Sequence, residues 1–195
     1  MFTNTSSRLY YPHRLIQSDL FSPIFQAAIA ALALEQREPL SASLHYIRDV
    51  IGYGGNNPPS SSNSPNPPAI QNAVQQLILA NGESLTKSIM AGMMITFPND
   101  CFSDGSGALL GLFEILPQQT AAWVDKTVRL LPPGTVSEAQ NDKLLASIRA
   151  CLVNGHDAKQ VRRLLQDYTN SYRRRNVAPR DGLGDLATTR FRWGG

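Results

Sequence analysis

The sequence predicts an all-α chain, a HEAT/armadillo-like helical-repeat solenoid of about four helix pairs carrying a basic C-terminal tail. Three observations predict it. Apolar residues recur at helical spacing nearly everywhere. No window shows sustained two-residue alternation of β-branched residues. Eight helices expected between residues 8 and 173 give about 41 residues per pair, the period of HEAT-type hairpins. Each hairpin leaves an apolar stripe that only a neighbouring pair can cover, so the pairs are expected to stack.

The first helix is expected over 18–36, with Phe21, Phe25, Ala28 and Leu32 on one face, Ser18 or Asp19 as cap and Pro23 inside the first turn. Pro39 opens a second, with Leu40, Leu44, Ile47 and Ile51, which stops at the Gly52 to Gly55 cluster. The Pro, Ser and Asn run that follows holds no apolar residue and reads as a flexible loop over 53–68. Ile70, Val74, Leu77 and Ile78 form a third helix ended by Asn81-Gly82; Leu85, Ile89, Met90, Met93 and Phe97 form a fourth ended by Pro98. Ser103 or Asp104 is expected to cap a fifth with Leu109, Leu112, Phe113 and Leu116. Pro117 opens a sixth with Val124, Val128 and Leu131, and Trp123 there anchors it against a neighbour. Ser137 with Gln140 makes a capping box for the seventh, and Asp157 starts the eighth, whose stripe is Val161, Leu164, Leu165, Tyr168 and Tyr172. The organisation is therefore a disordered N-terminus at 1–7, repeats over 8–173 and a basic tail at 174–195.

Composition excludes several classes. With 195 residues, 42% of them hydrophobic, the chain can bury a core without disulfide or metal staples. No apolar run is long enough to cross a membrane, and Met1 to Ser7 lack the basic and apolar regions of a secretory signal, so an intracellular protein is expected. Cys101 and Cys151, fifty positions apart, form neither a CxxC pair nor a disulfide framework, and both are expected to be buried small hydrophobes.

No catalytic, metal or cofactor constellation emerges. His13, His45 and His156 stand apart, and none has ligand spacing to a second His or a carboxylate. A hydrolase pairing Cys101 or Cys151 with a histidine lacks any flanking sequence for a nucleophile on a strained turn. Asp100 to Gly105 imitates the start of an EF-hand loop but places Phe102 at position three and Gly111 at position twelve, where calcium needs oxygen ligands. Gly105-Ser106-Gly107 could cradle a phosphate, yet it meets neither the dinucleotide nor the P-loop spacing. Met90, Met93 and Met94 read as core filler between helix pairs.

The net charge of +3 is unevenly placed. Through Gly155 there are nine Lys and Arg against eleven Asp and Glu; from His156 onward there are nine against four. Arginine forks hold carboxylate or phosphate, so Arg162, Arg163, Arg173, Arg174 and Arg175 are the candidate partner-binding residues, chosen by charge and exposed spacing. The rival reading is a small helical nucleic-acid-binding protein that uses this basic end.

Four stretches carry a resemblance: Leu9 to Ile16 (LYYPHRLI), Leu20 to Arg37 (LFSPIFQAAIAALALEQR), Leu44 to Asp49 (LHYIRD) and Asp167 to Arg180 (DYTNSYRRRNVAPR), with the closing Thr189 to Arg192. From about Leu9 onward the chain resembles the C-terminal end of the transportin-SR group of importin-β-like karyopherins, and within it the fungal mRNA transport regulators. The resemblance implies a HEAT-repeat import receptor that is not an enzyme and needs no cofactor. It carries SR-like RNA-binding proteins as cargo, meets Ran and nuclear pore proteins, moves between nucleus and cytoplasm, and has no membrane insertion and no direct nucleic-acid contact. Members of the group are several times longer, and their main Ran-binding surface lies on N-terminal repeats outside this chain. The first helix is accordingly expected to expose a face that a preceding repeat would meet.

Overall fold

A computed structural model describes residues 13–34, 36–56, 65–153 and 157–177. A helical turn at 13–16 leads into α1 (Phe21–Ala31), followed by α2 (Arg37–Tyr53), α3 (Pro68–Ala91), a π-helical turn (Gly92–Thr96), α4 (Asn99–Ile115), α5 (Pro117–Arg129), α6 (Glu138–Val153) and α7 (Ala158–Asn176). Among the described residues there is no strand.

The helices stack in two layers. α1, α3, α5 and α6 touch in that order along one layer, α2, α4 and α7 along the other, and each helix also meets its chain neighbours across the layers. This is a HEAT-like helical-repeat solenoid. The apolar stripes that predicted it form one continuous core: Phe25, Leu40, Leu44, Ile47, Val74, Ile78, Leu85, Ile89, Met90 and Met93 are wholly buried, as are Leu109, Leu112, Val161 and Leu165. Cys101 belongs to this core, whereas Cys151 is only half-buried.

Three expectations are revised. The break foreseen at Asn81-Gly82 is absent, and α3 runs through it. Gly82 is buried, and a Cβ built on it would overlap the Trp123 indole; the glycine makes room for a crossing helix rather than ending its own. The departure from α-helix comes ten residues later, in the wider π-helical turn, where Gly92 leaves the same kind of space for the Phe97 ring. α4 begins at Asn99 directly after Pro98, so Ser103 and Asp104 lie inside it instead of capping it. Finally, α7 continues to Asn176, which places Arg174 and Arg175 on the helix and not in the tail.

The helix caps read from sequence at the C-terminal hairpin are present. Ser137 Oγ accepts from the Gln140 N–H at 3.3 Å, and Asp157 Oδ1 accepts from the Gln160 N–H at 3.0 Å. Gly134, with φ of +84°, turns the chain between α5 and α6.

Within the loop expected over 53–68, between the end of α2 at Tyr53 and the start of α3 at Pro68, one described residue is structural. Asn66 is 4% exposed, and its Nδ2 points at the last turn of α2, donating to Gly55 O at 2.8 Å and lying 3.3 and 3.4 Å from Gly52 O and Tyr53 O. Gln75 Nε2 donates to Gly54 O at 2.8 Å, and the Asn66 N–H to Asn56 O at 2.9 Å. The carbonyls that a helix end leaves without intrahelical partners are thus met by side chains from the far end of the loop and from α3. The rest of the loop (57–64), the N-terminus at 1–7, His156 and residues 178–195 lie outside the described residues.

Surface ion pairs set the register of neighbouring helices. Arg37 meets Asp100 at 2.9 Å between α2 and α4, Lys126 meets Glu83 at 2.6 Å between α5 and α3, and Arg149 meets Asp125 at 3.4 Å between α6 and α5. Each is exposed and contributes little singly. At the start of α1, Leu20 just before the helix is 65% exposed and Ile24 within it 39%, on the side where the first helix is expected to present an apolar face.

Candidate partner-binding face

The five arginines sort themselves by helical geometry. Arg162 and Arg173 are eleven residues apart, three turns, and so share one face of α7; Arg163 and Arg174 share the next face round. The first pair points back into the stack. Arg162 Nε donates to Ser106 Oγ at 3.1 Å, and its Nη2 reaches Ser103 O at 3.3 Å and Ser103 Oγ at 3.4 Å, both on α4. Between them, Gln166 Nε2 donates to the same Ser106 Oγ at 2.9 Å. Arg173 Nη1 donates to Phe97 O at 2.7 Å, holding the carbonyl just past the π-helical turn.

Arg163, Arg174 and Arg175 are exposed. Among the described residues Arg174 bonds its own helix, through Asn170 O at 3.4 Å, and Arg175 reaches Ser171 Oγ at 2.9 Å and the Gln140 amide. The selection by charge therefore joined two kinds of residue. Arg162 and Arg173 are half-buried and bonded to the fold, while Arg163, Arg174 and Arg175 present cations to solvent.

Sequence reasoning did not foresee the groove beside Arg162. It measures about 560 Å³ and lies between α2, α4 and the start of α7. Gly107, Gly111, Ile51 and Ile115 line it together with the charged Arg48, Arg162 and Glu114. Close packing of α2 on α4 explains the glycines, because a Cβ on Gly111 would stand 2.8 Å from Ile51 Cγ2 and one on Gly107 3.3 Å from Arg48 Nε. At the Arg48 end, Asp104 receives Arg48 at 2.8 Å and His45 at 3.2 Å. Helical spacing along α4 (103, 107, 111, 114) was the available signal, but it needs the partner helices to acquire meaning.

The other polar residues are structural. His13 packs edge-on to Tyr53, with ring centroids 5.9 Å apart. Gly105, Ser106 and Gly107 sit well inside α4, beyond the four N–H groups a helix leaves free, and form no phosphate cradle. Burial, and less strongly the Asp104 carboxylate, push the Cys101 thiol up from its ordinary value, which makes it a poor nucleophile. Among the described residues no three His, Cys, Asp or Glu side chains converge as a metal site, and no helix is long and apolar enough to cross a membrane.

Known proteins resemble this chain over most of its length. An uncharacterized protein of Schizosaccharomyces pombe is 30% identical over 176 residues, covering 88% of this chain and 18% of that protein. The mRNA transport regulator MTR10 of Saccharomyces cerevisiae is 24% identical over 185 residues, covering 88% of this chain and 19% of that protein. Transportin MOS14 of Arabidopsis thaliana is 21% identical over 139 residues, covering 71% and 14%. The chain thus spans less than a fifth of the length of each of these relatives. No protein-family model matches it. The similarity to MTR10 and MOS14 is distant, and it points in the direction of the karyopherin resemblance read from the sequence.

Proposed function

We propose that this chain is a C-terminal repeat segment of a nuclear import receptor. The receptor carries SR-like, mRNA-binding proteins into the nucleus and releases them when GTP-bound Ran engages it. The observation that carries this reading is the similarity to MTR10 across 88% of the chain. The two-layered stack supports it, because in such a stack each pair meets only its neighbours and small changes at each crossing sum into curvature. Release is then a difference of affinities between two curvatures and involves no covalent step. Cargo, Ran and pore proteins are the partners, the nucleus and cytoplasm the places of work, and the exposed Arg163, Arg174 and Arg175 the first residues to test as cargo contacts.

The experiment is a pull-down from nuclear extract with the immobilised chain, with and without RNase and with and without GTP-loaded Ran. Capture of SR-like proteins that GTP-Ran displaces is the expected result. Capture that depends on RNA would favour the nucleic-acid-binding reading, and no capture would overturn the assignment of cargo binding to this segment.

A further inference from the structure

The groove between α2, α4 and α7 is electrically two-ended. At one end, Arg162 is fixed by Ser106 Oγ, Ser103 O and Ser103 Oγ, all neutral acceptors, and among the described residues no carboxylate pairs with it. Arg48 stands beside it, already paired with Asp104. At the other end is Glu114, exposed and holding no ion pair among the described residues. Arg162 meets α4 at Ser103 and Ser106, whereas Glu114 lies eight to eleven residues further along the same helix. At 1.5 Å per residue, the two charges stand about 12–16 Å apart along the groove. Gly107, Gly111, Ile51 and Ile115 line the groove between them.

We propose that this groove takes an extended peptide segment of a protein partner, one that carries an acidic residue about four positions from a basic one. An extended chain rises about 3.3 Å per residue, so four residues span about 13 Å; because side chains alternate, residues i and i+4 also point the same way. The acidic side chain meets the Arg162 fork, the basic one meets Glu114, and the residues between span the groove from one charge to the other. Charge complementarity selects the spacing. The inference stands apart from the transport reading, since its test uses a synthetic peptide and a local readout.

The test is an amide NMR titration of the full chain with two capped peptides of equal composition, one with Asp and Lys separated by three alanines and one with Asp and Lys adjacent. The spaced peptide is expected to shift the Gly107 and Gly111 amides saturably, and the adjacent peptide to bind at least threefold more weakly. Arg162→Gln and Glu114→Gln are each expected to weaken the spaced peptide at least threefold. Glu114→Gln removes no contact that holds the fold, so the test survives if Arg162→Gln perturbs packing. Equal binding of the two peptides, unchanged affinity in Glu114→Gln, or no saturable shift up to the solubility limit of the peptide would each overturn the proposal. So would shifts at the same glycines on simple dilution, which would place a second copy in the groove.

Discussion

Trp123 on α5 occupies the space that a side chain on Gly82 of α3 would fill. Two helices of one layer cross at that point, and the crossing needs a residue without a Cβ in the middle of a 24-residue helix. A glycine there lowers helix propensity by about 1 kcal/mol relative to alanine. The indole, buried to 8% exposure, offsets that loss by packing where the helices approach.

Gly82→Ala is therefore expected to destabilise the chain although alanine is the better helix former. Overpacking against a rigid indole costs more than the propensity returns, for a net loss of about 1–2 kcal/mol, or about 3–6 °C in Tm. Thermal unfolding followed by circular dichroism measures it. An unchanged or raised Tm would mean that α3 and α5 do not cross as described.

Arg173→Ala is expected to lower stability by about 1–2 kcal/mol, because the Phe97 carbonyl loses a charged donor at 2.7 Å and the π-helical turn loses its tie to α7. Arg174→Ala, one residue on and facing solvent, is expected to change stability by no more than about 0.5 kcal/mol. Urea unfolding of both variants tests the division of the arginines into two faces, and equal effects would refute it.

Asn66→Ala is expected to cost about 2 kcal/mol, since one amide serves several carbonyls at the end of α2. Asn66→Asp removes the donor while keeping the shape, so it should be no milder. Chemical denaturation gives the values, and faster exchange of the Asn66 amide, which donates to Asn56 O, should accompany them.

Tyr168 gives a pH prediction. Burial above all, with Tyr172 nearby adding to it, pushes the Tyr168 hydroxyl up to about 12, and that hydroxyl donates to Asn141 Oδ1 at 2.6 Å. The unfolded chain ionises its tyrosines near 10. Below that pH both states hold the proton and the contribution is complete. Between about 10 and 12 the unfolded state releases it first, and stability falls as pH rises. Tyr168→Phe should show a shallower alkaline decline, by about one proton's worth of slope across that window. Stability measured from pH 9 to 12 checks it, and identical slopes would place Tyr168 elsewhere.

Much of the fold was legible because its code is periodic. The stripes holding Phe25, Leu44, Ile78, Leu112 and Leu165 mark their helices by spacing alone, and Ser137 and Asp157 mark starts by local chemistry. What escaped depends on distant residues. Asn81-Gly82 reads as a helix end until Trp123 is placed against it, and Asn66 reads as one more polar loop residue until the end of α2 reaches it. The arginines were legible as charge but not as partners, because the acceptors of Arg162 and Arg173 include backbone carbonyls of Ser103 and Phe97, which no side-chain motif announces.

The most direct test of the account is a binding titration of one purified SR-like RNA-binding protein, free of RNA, against the chain and against its Arg163→Glu, Arg174→Glu, Arg175→Glu triple variant. All three side chains are exposed, so the variant should keep its Tm within a few degrees while losing affinity at least tenfold. Unchanged affinity in a folded triple variant, or no binding to either chain, would contradict the account.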